Sequence, residues 1–555
     1  MSGAGRAPLG PVLTTQRRLG LGPVIRHGGS TAYRMVVVTD GEPHLVRDDL
    51  LATTADRARP TAGRPLLCLV HVTDLQLADV SSPARFEFLN RYFADPRYAR
   101  IVPVQRPQEA LTAHAIDATL RTIGDVTGPA SGLAPHLAVT TGDAIDNAQW
   151  NELQAFLALF DGGTVTFGGG YSGVQARHWP DDIFWKPDGD GPDGPDIFRR
   201  EFGFPHHPGL LERAARDFTA AGLGMGWLSC FGNHEALNQG VGVPTAGLAA
   251  ALTGGIKPVA LPEDFDHDKA LEIFTERAER LMAGPVLLVP ADASRKPITR
   301  GDFVAAHFGA GARPHGHGFT ERNLRDGTAY YVHDTPAARL IALDTTCLAG
   351  GADGCLDLDQ ARWLESSLAE VHSAYRGADG ERVSTGNDDK LVVLFSHHGI
   401  DTLTNIRLAH RGPAGVPLLS GQDVLGLLHR FGNVVLWLNG HTHTNTVTCR
   451  PDPDVPGKGF WEVTTCAVVD WPCQTRLVEL MERGTELDIV CTMLDHGAPP
   501  AVGPIVTSDD MASLHRELAA NMPFLGADSG RDGAAADRNV VLTMPAPFRL
   551  GGLGS

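Results

Sequence analysis

Leu66-Leu67-Cys68-Leu69-Val70-His71-Val72-Thr73-Asp74-Leu75-Gln76 is the stretch whose reading decides the fold. A short apolar run without alternation reads as a strand buried on both faces, and a polar cluster follows it at once. The same arrangement returns four times: after His136 to Thr141, Gly226 to Phe231, Leu391 to Phe395 and Val434 to Leu438. Amphipathic helical patterns lie between some of these strands, for example Gln108 to Ile123 and Leu356 to Val371, which predicts α/β construction. In such folds ligands collect beyond the carboxyl ends of the strands, so five polar clusters at five strand ends are expected to converge.

The clusters are Asp74-Leu75-Gln76, Gly142-Asp143-Ala144-Ile145-Asp146-Asn147, Gly232-Asn233-His234-Glu235, His397-His398-Gly399 and Gly440-His441-Thr442-His443. Carboxylate, amide oxygen and imidazole together are the ligand set of a divalent metal such as Mn, Fe or Zn. A carboxylate shared by two such ions, roughly 3.5 to 4 Å apart, lets them clamp both the attacking and the leaving oxygen of a phosphoryl centre. Singly, each residue has a plainer reading: Asp74, Asp143 and Asn233 as turn or N-cap residues, the histidines as hydrogen-bonded core groups. It is their joint occurrence that points to metal.

The five blocks resemble the pattern of the calcineurin-like metallophosphoesterase superfamily, D-x-H, G-D-x-x-D, G-N-H-[DE], a lone H and G-H-x-H, in the same order across about residues 66 to 447. The resemblance implies two mixed β-sheets packed as a sandwich and flanked by helices. It implies one metal on Asp74, Gln76, Asp143 and His443, and a second on Asp143, Asn233, His397 and His441. It also implies a metal-bridging hydroxide as nucleophile and His234 beside the phosphate, helping the leaving group depart. Strand alternation would send His397 and His398 to opposite faces; His397 is chosen because the family pattern uses the first of such a pair.

Gln76 departs from the pattern, standing where the family has His. Its neutral, harder carbonyl oxygen inclines the first site toward Mn. Asp74 to Asp79 with Arg91-Tyr92 resembles the manganese-dependent ADP-ribose/CDP-alcohol diphosphatases. Tyr171 to Gln175, Glu201 to Pro205, Pro208 to Leu211 and His315 to Phe319 resemble an actinobacterial metallophosphoesterase group of unassigned substrate. The expected activity is therefore two-metal hydrolysis of a small phosphodiester or pyrophosphate-linked substrate, with phosphomonoester hydrolysis as the alternative. A nuclease and a non-catalytic binding protein are the remaining readings.

The chain has 555 residues, 43% hydrophobic and 20% charged, which excludes disorder as its main state. Its net charge of −18, without a Lys/Arg run, argues against nucleic acid as partner. No stretch approaches the roughly 18 apolar residues of a membrane span, and Met1 to Leu21 lacks an apolar signal core, so a soluble cytoplasmic protein is expected. Eight Cys without a CxxC pair make neither a disulfide scaffold nor a zinc knuckle, and Cys347 and Cys355 are read as free thiols. Residues 1–65 read as a leader wrapped on the surface. Residues 66–500 read as the metallophosphoesterase domain, interrupted by insertions at about 162–218 and 240–323, and residues 501–555 as a C-terminal extension.

Several polar residues outside the five blocks are open to two readings. Asp146 and Asn147 are read as caps of the following helix. Glu235 either holds a histidine in its tautomer or begins a helix. His315 and His317 are substrate contacts or loop structure, and Trp179 and Trp185 are a lid or packing. Arg295, with Lys296 and Arg300, either grips a distal phosphate or decorates a solvated loop.

Overall fold

A computed structural model of the chain describes residues 12–51, 63–167, 170–406 and 417–553. The strand expected from Leu66 spans Arg64–Val72; the others are Leu137–Thr140, Trp227–Leu228, Leu391–Phe395 and Val434–Asn439. The first three are adjacent and parallel in a seven-stranded sheet, which continues antiparallel through Gln474–Arg483, Glu486–Asp495 and Val540–Pro545 to a short edge strand, Leu45–Arg47. The last two are adjacent and parallel in a six-stranded sheet with Tyr331–Asp334, Ala338–Ala342, Gly459–Thr464 and Thr446–Pro451. Both sheets are thus mixed, and the protein is α/β.

One buried cluster takes side chains from both sheets, among them Leu69, Val139, Leu477 and Ile489 of the first and Leu340, Val393, Leu436 and Trp461 of the second. Alternation along Leu391–Phe395 explains how a strand can be apolar throughout. Leu391, Val393 and Phe395 enter that shared core, whereas Val392 and Leu394 face a second one with Leu364 and Leu368 of helix Leu358–Ala369 and Val424 and Leu428 of helix Gly421–Leu428. The five clusters all follow the carboxyl ends of these central parallel strands.

The leader and the extension pack on each other and on the seven-stranded sheet. The leader forms the antiparallel pair Arg17–His27 and Ala32–Asp40, whose Tyr33 and Val36 are fully buried against Leu514 and Ala519 of helix Ser508–Asn521. The extension supplies that helix and the sheet strand Val540–Pro545. Residues 1–11 and 52–62 of the leader lie outside the described residues. All eight Cys are unbridged, and among the described residues no helix is long and apolar enough to cross a membrane.

Buried imidazoles tie these parts together. His71 Nε2 lies 2.8 Å from Thr141 Oγ1 and its Nδ1 2.8 Å from Thr465 Oγ1, joining the two sheets beneath the clusters. His114 Nδ1, on helix Thr112–Gly124, meets Ser508 Oγ at 2.9 Å, and His515 Nε2 meets Thr112 Oγ1 at 3.4 Å across the helix pair that docks the extension. Burial pushes His71 and His515 down to about 3 and His114 to about 4. All three are neutral in the fold, while the unfolded chain takes up protons below about pH 6.5. The stability these groups contribute is therefore complete above about pH 6.5 and declines as pH falls toward 4. Urea midpoints should drop steadily from pH 7 to pH 4.5, and a flat profile would contradict neutral burial.

Candidate metal centre

The strand ends bring the expected ligands together. A carboxylate oxygen of Asp74, one of Asp143 and a ring nitrogen of His397 lie within 4.8 Å of one another, and so do ring nitrogens of His397, His398 and His441. Asp143 Oδ2 stands 3.1 Å from His397 Nε2 and 3.8 Å from His234 Nε2, and Asp74 Oδ1 stands 3.2 Å from His443 Nε2. Gln76 Nε2 is 3.2 Å from His234 Nε2 and 3.3 Å from His443 Nε2.

Three of the imidazoles are each aimed by Nδ1. His397 Nδ1 donates to the Thr141 carbonyl at 2.8 Å, His234 Nδ1 to the Asp146 carbonyl at 2.8 Å, and His443 Nδ1 to Asp470 Oδ2 at 2.7 Å. In all three Nε2 is left facing the cluster, the orientation of a metal-ligating histidine. His398 is different: Nδ1 meets Thr345 Oγ1 at 3.0 Å and Nε2 meets the Ala352 carbonyl at 2.8 Å, so both nitrogens are engaged elsewhere. Of the adjacent pair, His397 therefore keeps Nε2 toward the cluster.

The backbone is strained where the ligands sit. Asp74, Gln76, Asp143, His441 and His443 have φ of 51°, 40°, 51°, 69° and 56°, half of the ten non-glycine residues with positive φ among those described. Such conformations cost of order 1–3 kcal/mol each and persist where surroundings enforce them. Two motif glycines show the enforcement. A Cβ on Gly232 would fall 2.4 Å from Asp143 Oδ1, and one on Gly440 would fall 2.3 Å from Asp74 Oδ2, so no other residue lets these loops close over the carboxylates.

Glu235 settles the choice left open for it, and it orients no imidazole. Its fully buried carboxylate accepts the backbone N–H of Gly232 (2.6 Å), Asp143 (2.9 Å), Ala144 (2.6 Å) and Ile145 (3.2 Å), fixing the Asp143 loop against the Asn233 loop. Asp146 and Asn147 cap nothing: helix Trp150–Asp161 starts after Gln149. Asp146 Oδ2 instead accepts from Arg85 Nε at 2.8 Å, and Asn147 Oδ1 accepts from Asn238 Nδ2 and the Gln239 N–H, because the helix begins a turn later than the Asp-Asn pair suggests.

The carboxylates and imidazoles of the cluster shift one another's protonation. Burial pushes Asp143 up, but His397 and His234 outweigh it and hold the carboxyl well below its usual range; His443 and His397 do the same for Asp74. His397 is pushed up to about 9 because Asp143 beside it outweighs burial, while burial and His397 push His441 down to about 4. His441 Nδ1 and His397 Nε2 face each other at 3.2 Å. Asn233 Oδ1 and Gln76 Oε1 are buried acceptors that receive no hydrogen bond. Two carboxylates, two amide oxygens without a donor and inward imidazole nitrogens fit a divalent cation.

The three expected substrate contacts lie elsewhere. His317 is buried, stacked on Trp227 at 3.7 Å between ring centroids and 3.1 Å from Asp161. Arg295 is buried too, with Nε 2.6 Å from Asp79 Oδ2, so it does not decorate a solvated loop; this pairing across 216 positions leaves no local trace. Trp185 packs with Tyr33, Phe204 and Leu514 and donates Nε1 to the Pro205 carbonyl at 3.0 Å. Trp179 is likewise buried, but among Val174 and Phe184 of its own insertion and Val259 and Leu287 of the other; His315 is exposed beside Phe308. Asp470, which aims His443, was not among the expected residues. Its signal is the same as that of the others, an apolar run, Cys466 to Val469, ending in Asp.

Compared with known proteins, the chain matches no family model and no curated protein.

Replacing Glu235 by Ala leaves four buried N–H groups without an acceptor. It should lower unfolding free energy in urea by about 3 kcal/mol or more and abolish divalent-ion uptake. Wild-type stability in Glu235→Ala would contradict its role.

Proposed function

We propose that the protein is a two-metal phosphoesterase of the calcineurin-like metallophosphoesterase type, hydrolysing a small phosphodiester or pyrophosphate-linked substrate. The observation that carries this reading is a pair of buried amide oxygens without donors, Gln76 Oε1 and Asn233 Oδ1, on residues that stand beside Asp74, Asp143 and three imidazoles held by their Nδ1. Asp74, Gln76, Asp143 and His443 would hold one ion and Asp143, Asn233, His397 and His441 the other. Two divalent ions there would supply an activated water at neutral pH and charge to clamp the phosphoryl oxygens. Gln76 and Asn233 contribute neutral oxygen ligands, which inclines the centre toward Mn, with Fe or Zn as the other candidates.

The protein's own groups do the rest. Two carboxylates against two divalent ions leave an excess positive charge suited to a phosphate anion and to the greater charge of its transition state. His234 is the imidazole free to move a proton: Nδ1 is held by the Asp146 carbonyl, Nε2 faces inward, and its side chain is 14% exposed, enough to reach a leaving group in a cleft. Asp146 is held by Arg85, so the carbonyl that aims His234 sits on a fixed loop. The net charge of −18 favours a small phosphorylated substrate over nucleic acid.

The test is hydrolysis of bis(p-nitrophenyl) phosphate and of p-nitrophenyl phosphate by chelator-stripped protein with and without Mn. Mn-dependent cleavage of the diester in preference to the monoester is expected, and the reverse preference would replace diester by monoester hydrolysis. Asp143→Asn should abolish turnover, and His234→Ala should slow it roughly 10²- to 10⁴-fold with metal content kept. Loss of metal from His234→Ala would contradict its role in proton transfer, and no Mn-dependent hydrolysis of either ester would overturn the phosphoesterase reading.

A further inference from the structure

Beyond the ligands themselves, one carboxylate gathers cations from three separate parts of the chain. Asp470 is 1% exposed. Its Oδ1 stands 2.7 Å from Arg106 Nε, and its Oδ2 accepts from His443 Nδ1 at 2.7 Å and from Arg531 Nη1 at 3.2 Å. A buried carboxylate is costly to leave unpaired, and two guanidiniums form ion pairs with this one while leaving the His443 hydrogen bond intact.

The arrangement is held by backbone as well as side chains. The Asn445 N–H, two residues past His443, donates to the Arg531 carbonyl at 3.0 Å, and Asn445 Nδ2 donates to the Asp532 carbonyl at 3.3 Å. At Gly533, with φ of 73°, a Cβ would fall 2.4 Å from the Asn445 carbonyl oxygen, so the extension lies directly on the loop that carries His441 and His443. On the other side, Gln108 Nε2 donates to the Val469 carbonyl at 3.1 Å, and the Val469 N–H donates to the Asp74 carbonyl at 3.3 Å.

We infer that Arg531, on the C-terminal extension, and Arg106 are positioning residues for the metal centre. They clamp Asp470, and Asp470 holds the His443 imidazole with its Nε2 toward Asp74 and Gln76. Through Arg531 the extension therefore contributes to the layer of groups behind the ion that Asp74, Gln76, Asp143 and His443 would hold. Carboxylate partners of ligating histidines commonly govern affinity by 10- to 100-fold. The inference rests on the metal-centre reading of these residues.

The experiment is Mn affinity of the full chain, measured by competition with a chelating dye, beside apo-protein stability in urea. Asp470→Asn should weaken the tighter-affected site by about 10- to 100-fold, and Arg531→Gln by about tenfold, with Arg531→Lys recovering part of the loss. Arg538→Gln is the control, since Arg538 fastens the same extension through Glu42 at 2.7 Å and does not touch Asp470. It should leave Mn affinity unchanged even if stability falls. Unaltered affinity in Arg531→Gln and Asp470→Asn, or an equal loss in Arg538→Gln, would overturn the positioning role while the unmodified chain still binds Mn. Absence of Mn binding by the unmodified chain would instead overturn the metal-centre reading, and this inference with it.

Discussion

Asp143 is the constraint on which the site turns. Its carboxylate is buried where the two sheets meet, one oxygen accepting the His234 N–H at 3.0 Å and the other facing His397 at 3.1 Å. Its backbone is pinned by Glu235 and roofed by Gly232, and its own φ is positive. A charged group in that position needs a compensating positive charge close by. Imidazoles supply it only by taking up protons, and a cation supplies it while also using the lone pairs and the two acceptor amides around it. The strained strand-end loops, the close-packed glycines and the aimed histidines all follow from holding acceptors around that point.

The same economy explains why so much of the chain is committed to a small site. Three ligand loops come from one sheet and two from the other, so their geometry depends on how the sheets pack. His71, hydrogen-bonded to Thr141 and Thr465, fixes that packing directly below the cluster. The leader and extension fasten the outside of the seven-stranded sheet through Tyr33, Val36 and the helix pair, and the extension then runs back to Asp470. Aromatic side chains of the insertions, Trp179 and Trp185 among them, are spent on packing.

Much of this was legible in the sequence because the signals are local. An apolar run ending in Asp, Asn or His reads as a strand end on its own, and all five such strands appear within a few residues of the expected bounds. The partners of Arg295, His317 and Trp185 were not legible. They depend on residues 216, 156 and 20 positions away, and a lone polar or aromatic residue in a long insertion carries no trace of what it will meet. Arg531 escaped for the same reason: 61 residues separate it from Asp470, and only the folded sheet edge brings the extension across the His443 loop. The docking of the leader was not legible either, because Tyr33 and Val36 meet Leu514 and Ala519 of a helix far along the chain.

The most direct measurement is anomalous diffraction at the manganese edge from crystals of the full chain grown with Mn. Two peaks are expected on either side of the Asp143 carboxylate, one among Asp74, Gln76 and His443, the other among Asn233, His397 and His441. A map with no peak inside this cluster, or with manganese bound only elsewhere on the chain, would contradict a metal centre shared through Asp143.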